Sequence, residues 1–124
     1  MHARHYTLEE ANAALGWVGD TIRRLRAARE GLSDEEARDA LSEAGPTNGG
    51  GAPGRVVSEA FVELRSALVR LQEAEVVLRD LDRGLVDFPS MREGREVYLC
   101  WLEEEDEIGY WHDLEEGFAG RQPL

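Results

Sequence analysis

The apolar periodicity of this chain changes once along its length, and that change constrains the fold more than any motif. Leu8, Ala11, Leu15, Val18, Ile22 and Leu25 recur at spacings of three and four, the stripe of an amphipathic helix. Val57, Phe61, Leu64, Leu68 and Leu71 repeat the pattern in a second segment. Further on the period shortens to two, where Val97, Leu99 and Trp101 alternate with Glu96, Tyr98 and Cys100, as in a half-buried strand. Two matching helical stripes zip together antiparallel, and a sheet can cover what they leave apolar. The expected class is α+β: an antiparallel two-helix hairpin packed on one face of a small antiparallel sheet of three to four strands.

Local signals set the boundaries. Thr7-Leu-Glu-Glu10 and Ser33-Asp-Glu-Glu36 are capping boxes, and Gly31 stands at the C′ position between them. The second box starts a short helix towards Ala44, with Ala37, Ala40, Leu41 and Ala44 on one face, before Gly45-Pro46 ends it. Residues 45–54 read as a flexible loop, and the next long helix starts near Val56. Residues 1–124 form one expected domain: a helical hairpin over about 7–75, a β-meander over about 76–114 and an irregular tail over 115–124. Strands are expected at about 76–80, 84–88, 95–102 and 107–114, with Pro89 and Gly94 bracketing a loop. A helix running on to Leu81 competes for the first strand, since Leu78 and Leu81 also fit its stripe.

Composition narrows the function classes. With 42% hydrophobic and 32% charged residues, the 124-residue chain is that of a globular protein able to bury a core. A net charge of −12 repels phosphate backbones, which argues against nucleic-acid binding. All 14 basic side chains are arginine; base composition of a GC-rich genome explains this more simply than anion recognition. No apolar run reaches membrane-spanning length, the first residues lack a signal-peptide core, and the lone Cys100 fits a reducing compartment. The expected location is the cytoplasm of a prokaryote.

Tyr6-Thr-Leu-Glu-Glu-Ala-Asn12 and nearly everything from Asp80 to Pro123 resemble the prokaryotic proteins grouped as domain of unknown function 2203. The resemblance rests on Leu81–Pro89, Gly94–Trp101, Glu107–His112 and Gly117–Pro123 and covers roughly half the chain. The middle, about 31–55, departs in length and composition, and Glu75 stands where glycine is expected. The resemblance implies a small cytosolic protein and a shared fold. It carries no activity.

Strand register decides which chemistry meets. A hairpin closed by Glu103–Asp106 would set Trp101 opposite Ile108, Leu99 opposite Tyr110, Tyr98 opposite Trp111, Val97 opposite His112 and Glu96 opposite Asp113. A six-residue loop at 89–94 would place Asp87 beside Glu96. One face, carrying Val86, Phe88, Val97, Leu99, Trp101, Ile108 and Tyr110, then packs on the helices. The other carries Leu85, Tyr98 and Trp111 in one rank and Asp87, Glu96 and Asp113 in the next. Three adjacent carboxylates need either arginines such as Arg79, Arg95 and Arg121, or a divalent metal (manganese, iron, magnesium or zinc) joined by His112 and Glu115. His112 itself falls on the helix-facing side.

The aromatic rank of Leu85, Tyr98 and Trp111 is expected to form an interface, most simply between two copies of the chain. Arg92, Arg95 and Arg121 are a weaker expectation for a small anionic ligand. Cys100 reads as a packed thiol on the outer face, and Gly117-Phe-Ala-Gly120 lacks the lysine and the strand-to-helix turn of a phosphate loop. The leading functional expectation is a small non-enzymatic cytoplasmic binding protein acting as a homodimer. The other is a metal-binding protein or metal-dependent enzyme with a carboxylate-rich site.

Overall fold

A computed structural model describes residues 2–42 and 58–124, so the glycine-rich stretch expected to be a loop lies outside the described residues. The fold is α+β; among the described residues the short helix begun at Ser33 joins the two long ones, and the sheet has five strands, one more than the largest expected number. Helix α1 spans Leu8–Glu30, α2 spans Asp34–Ser42 and α3 spans Glu59–Glu73. Strands β1 (Val77–Asp80), β2 (Leu85–Arg92), β3 (Arg95–Leu102), β4 (Tyr110–Asp113) and β5 (Gln122–Pro123) follow. They pair in chain order as one antiparallel meander.

The capping boxes act where their spacing placed them. Thr7 Oγ1 accepts from the Glu10 amide at 3.0 Å while Glu10 accepts from the Thr7 amide at 2.8 Å. Ser33 and Glu36 do the same at the head of α2. Helices α1 and α3 run antiparallel: Arg24 pairs with Glu63 at 2.6 Å, and Arg70 stacks on Trp17 nearer the other end. Their stripes meet the inner sheet face in a core of Val18, Ile22, Leu25, Leu64 and Leu71 against Val86, Phe88, Val97, Leu99 and Trp101.

Helix α3 does not run on to Leu81. Glu75 has a φ of 58°, left-handed backbone that stops the helix, and the Val76 amide donates to Leu71 O at 3.0 Å as the chain turns into β1. The glycine expected at this position is therefore a backbone requirement that glutamate meets under strain.

Two expectations about the sheet are overturned. Pro89 does not end β2. Its carbonyl faces away from β3 and accepts the Tyr6 amide at 2.7 Å, beyond the reach of β1, so the missing proline N–H disrupts no ladder bond. The strand continues to Arg92 and turns through Glu93 and Gly94, with φ values of 50° and 81°, in a two-residue hairpin. Asp87 consequently pairs with Cys100, and Glu96 with Met91.

The β4 register is also slipped by one residue: Tyr98 opposes His112, and Leu99 opposes Trp111. The connection over 103–109 is longer than a tight turn because Glu105 folds back under it. The Glu105 carbonyl takes the Trp101 indole N–H at 2.8 Å, and its carboxylate takes the Leu102 amide at 2.9 Å. Ile108 is tied to Asn12 of α1 at 2.8 Å. A one-residue slip exchanges the faces of β4. Trp111 enters the core, while Tyr110 and His112 turn to the outer face.

The chain's own ends lie across that outer face. Phe118, in a 3-10 turn at Phe118–Gly120, packs on Leu85, Cys100 and Leu102. The opening residues cross the other end, where the His2 ring stands 2.8 Å from Tyr98 Oη. No described helix is long and apolar enough to cross a membrane.

Candidate metal centre

The hairpin turn and the β4 slip bring together three side chains that the expected register kept apart. Asp87 of β2 and Cys100 of β3 are direct cross-strand partners, and His112 of β4 lies diagonal to Cys100 on the same face. All three are at most 2% exposed. A carboxylate oxygen, the Sγ atom and an imidazole nitrogen all lie within 4.8 Å of one another.

The hydrogen bonding of His112 defines the site. Its Nδ1 stands 2.8 Å from the Asp113 carbonyl, and its Nε2 stands 3.0 Å from Asp87 Oδ1. Both neighbours are acceptors. Nδ1 therefore carries a hydrogen, and either a second hydrogen or a cation must lie between Nε2 and Asp87. Arg79 Nε donates to the other carboxylate oxygen at 2.8 Å, and its guanidinium lies over the Tyr98 ring at 5.0 Å. Burial, reinforced by the Asp87 charge, pushes the Cys100 thiol up to about 12, against the opposing effect of Arg121. Without a cation, Cys100 is a protonated thiol at neutral pH.

A cavity of about 330 Å³ opens on this cluster, lined by all three donors, Arg79, Glu115, Glu116 and Phe118 among others. Of the metal set expected from sequence, Asp87 and His112 meet and Glu115 lines the cavity, but Glu96 and Asp113 are elsewhere. Asp113 pairs with Arg95 at 3.0 Å and serves the cluster through its carbonyl alone. Glu96 accepts from the His2 amide at 2.9 Å and lies 2.7 Å from His5 Nε2; these contacts hold its carboxyl below the ordinary range. No three-carboxylate row forms.

The other expected sites disperse. Leu85 and Tyr98 stay on the outer face but Trp111 turns into the core, and each is buried within the chain itself. Arg92 and Arg95 stack on Trp111, whereas Arg121 pairs with Glu105 and lies 3.7 Å over Tyr110, so the three arginines do not converge.

Sequence reasoning missed Cys100 as a member of the cluster, and it missed the network at the chain's start. There the Glu75 carboxylate accepts the Ala3 and Arg4 amides, both at 3.0 Å, and lies 3.3 Å from the His2 ring. Desolvation opposes its charge, but the Ala3 amide, the His2 ring and the Arg4 amide outweigh it and keep Glu75 below the usual carboxylate range. The signal was present: a glutamate in a position suited to glycine.

Fold and cluster together define a small α+β protein with a helical layer on one sheet face and a buried Asp–Cys–His site on the other. The chain belongs to the family described as uncharacterized conserved protein (DUF2203), whose pattern it matches over residues 4–124. Neither a curated protein nor a solved structure matches it.

Proposed function

We propose that this is a metal-binding protein that holds one zinc-like divalent ion on Asp87, Cys100 and His112. The observation that carries the reading is the buried His112 ring, held between two acceptors beside a thiol. A dication bound in place of the hydrogen at Nε2 satisfies Asp87 and His112 at once and converts Cys100 to the thiolate. For ligand bonds of about 2.0–2.1 Å, two N/O donors of a tetrahedral ion stand roughly 3.3 Å apart, close to the 3.0 Å between Nε2 and Oδ1. The sulfur and imidazole donors favour zinc or iron(II) over magnesium or manganese. The Asp113 carbonyl orients the imidazole and Arg79 orients the carboxylate, the outer partners that such ligands use. Three protein donors leave a fourth position on the cavity side, the pattern of reactive rather than purely structural zinc sites.

Cobalt(II) titration tests this. One equivalent should produce thiolate-to-cobalt absorption that zinc displaces, and Cys100→Ser should abolish the band while the protein still melts cooperatively. Absence of the band in the native protein, with no zinc retained after purification without chelator, would refute the proposal.

A further inference from the structure

The cavity above the three donors is larger than an ion needs, and its walls differ in charge. On the side of Asp87, Arg79 uses Nε for its ion pair, and its Nη groups have no hydrogen-bond partner among the described residues. The Glu115 and Glu116 carboxylates are exposed and make no ion pair among the described residues. Glu116 is seated over Gly120, where an added Cβ would come within 2.8 Å of its carboxylate oxygen. The lining also includes the apolar side chains of Leu85, Leu114 and Phe118. With a dication on two anionic ligands, the Arg79 side carries net positive charge. The Glu115–Glu116 side is negative, and the chain's net charge of −12 disfavours a purely anionic ligand.

We infer that this cavity binds a small zwitterion of the amino-acid class. The carboxylate sits by Arg79 and the fourth metal position, the ammonium by Glu115 and Glu116, and an apolar side chain against Leu85, Leu114 and Phe118. The inference rests on the proposed metal site for an open coordination position at the carboxylate end, and on Arg79 for the net positive charge there. At about 330 Å³ the cavity lies at the lower end of the range for small-molecule pockets, which suits a single amino acid better than a peptide or nucleotide.

Three probes isolate the groups: L-leucine, 3-methylbutylamine, which lacks the carboxylate, and 4-methylpentanoate, which lacks the ammonium. Calorimetric titration into zinc-loaded protein should show leucine binding at least about tenfold more tightly than the amine, because a charge-assisted contact is lost. It should bind about three- to fivefold more tightly than the acid, the scale of an exposed ion pair. Glu115→Gln with Glu116→Gln should remove the second difference and leave binding of 4-methylpentanoate undiminished. If zinc binds with one equivalent and leucine does not bind, or all three probes bind alike, the zwitterion inference is overturned while the metal reading stands. If zinc does not bind, the metal reading fails. The same titration on metal-free protein then decides the inference: leucine selectivity that depends on Arg79, Glu115 and Glu116 upholds it, and its absence overturns it.

Discussion

Replacing Asp87 with asparagine probes the cluster most directly. Two donors converge on the Asp87 carboxylate, Arg79 Nε at 2.8 Å and His112 Nε2 at 3.0 Å, and the Cys100 thiol lies within 4.8 Å. Asparagine has the same shape, but it offers one acceptor oxygen and turns an amide N–H₂ towards the remaining donor. Asp87 and His112 are each 2% exposed, so solvent cannot relieve the mismatch. Removing one partner of a buried, hydrogen-bonded charge pair costs about 3–5 kcal/mol. For a chain of this length the melting temperature should fall by roughly 10 °C or more. Urea melts in chelator give the free energy directly. A cycle with His112→Gln should show a coupling of about 1–3 kcal/mol, because the two residues share one contact. Zinc at a hundredfold its dissociation constant should add about 2.7 kcal/mol to the native protein and nearly nothing to the variant. An Asp87→Asn protein as stable as the native one in chelator would show that the cluster is not assembled as described. Equal melts of the native protein with and without zinc would refute only the metal.

Three further outcomes follow from the same geometry. Glu75 and Glu96 both have folded-state carboxyls depressed below the ordinary 4.5, so their stabilisation is complete above that value and is lost as pH falls through the folded-state value. The native protein should therefore weaken as pH drops below about 4.5, and Glu96→Gln should show a shallower acid loss in urea melts. Cys100, fully buried with its thiol pushed up to about 12, should resist iodoacetamide at pH 8 in the folded protein and react after unfolding in urea, as followed by intact mass. Gly84→Ala should destabilise by about 2 kcal/mol or more, since φ is +66° and the new Cβ would meet Glu103 Cβ at 2.5 Å; Gly94→Ala, at φ +81° in open space, should cost only about 1–2 kcal/mol in thermal melts.

The parts of the fold legible in sequence were those whose causes lie within a turn or two. Capping boxes at Thr7 and Ser33 need only residues three apart, and the alternation of β3 needs only its own eight residues. The misread elements depended on distant chain. Pro89 looks like a strand end because it lacks an N–H, and only Tyr6, from the opposite end of the sequence, shows why β2 tolerates it. The β4 register was hidden by Glu105, whose side chain and carbonyl both fold inward to lengthen the connection. The β2–β3 register was recoverable: a two-residue turn at Glu93-Gly94 pairs Arg92 with Arg95 and, counting outward, Asp87 with Cys100.

Those two registers convert one chemistry into another. The expected alignment set Asp87, Glu96 and Asp113 abreast and implied a carboxylate-rich site, with His112 and Glu115 as further ligands. The observed alignment sends Glu96 to the chain's first residues and Asp113 to Arg95, and it replaces them with a thiol and an imidazole. The donor set thereby shifts from a carboxylate-rich one that suits magnesium, manganese or iron better than zinc to one with sulfur and imidazole, suited to zinc or iron(II). The outer face, whose aromatic groups suggested a missing partner, is crossed from one end by His2 on Tyr98 and from the other by Phe118 on Leu85 and Cys100. Between these two segments, the strip of Asp87, Cys100 and His112 lines a cavity. The cavity beside these three side chains has room for a small ligand, and the functional reading therefore centres on the cluster.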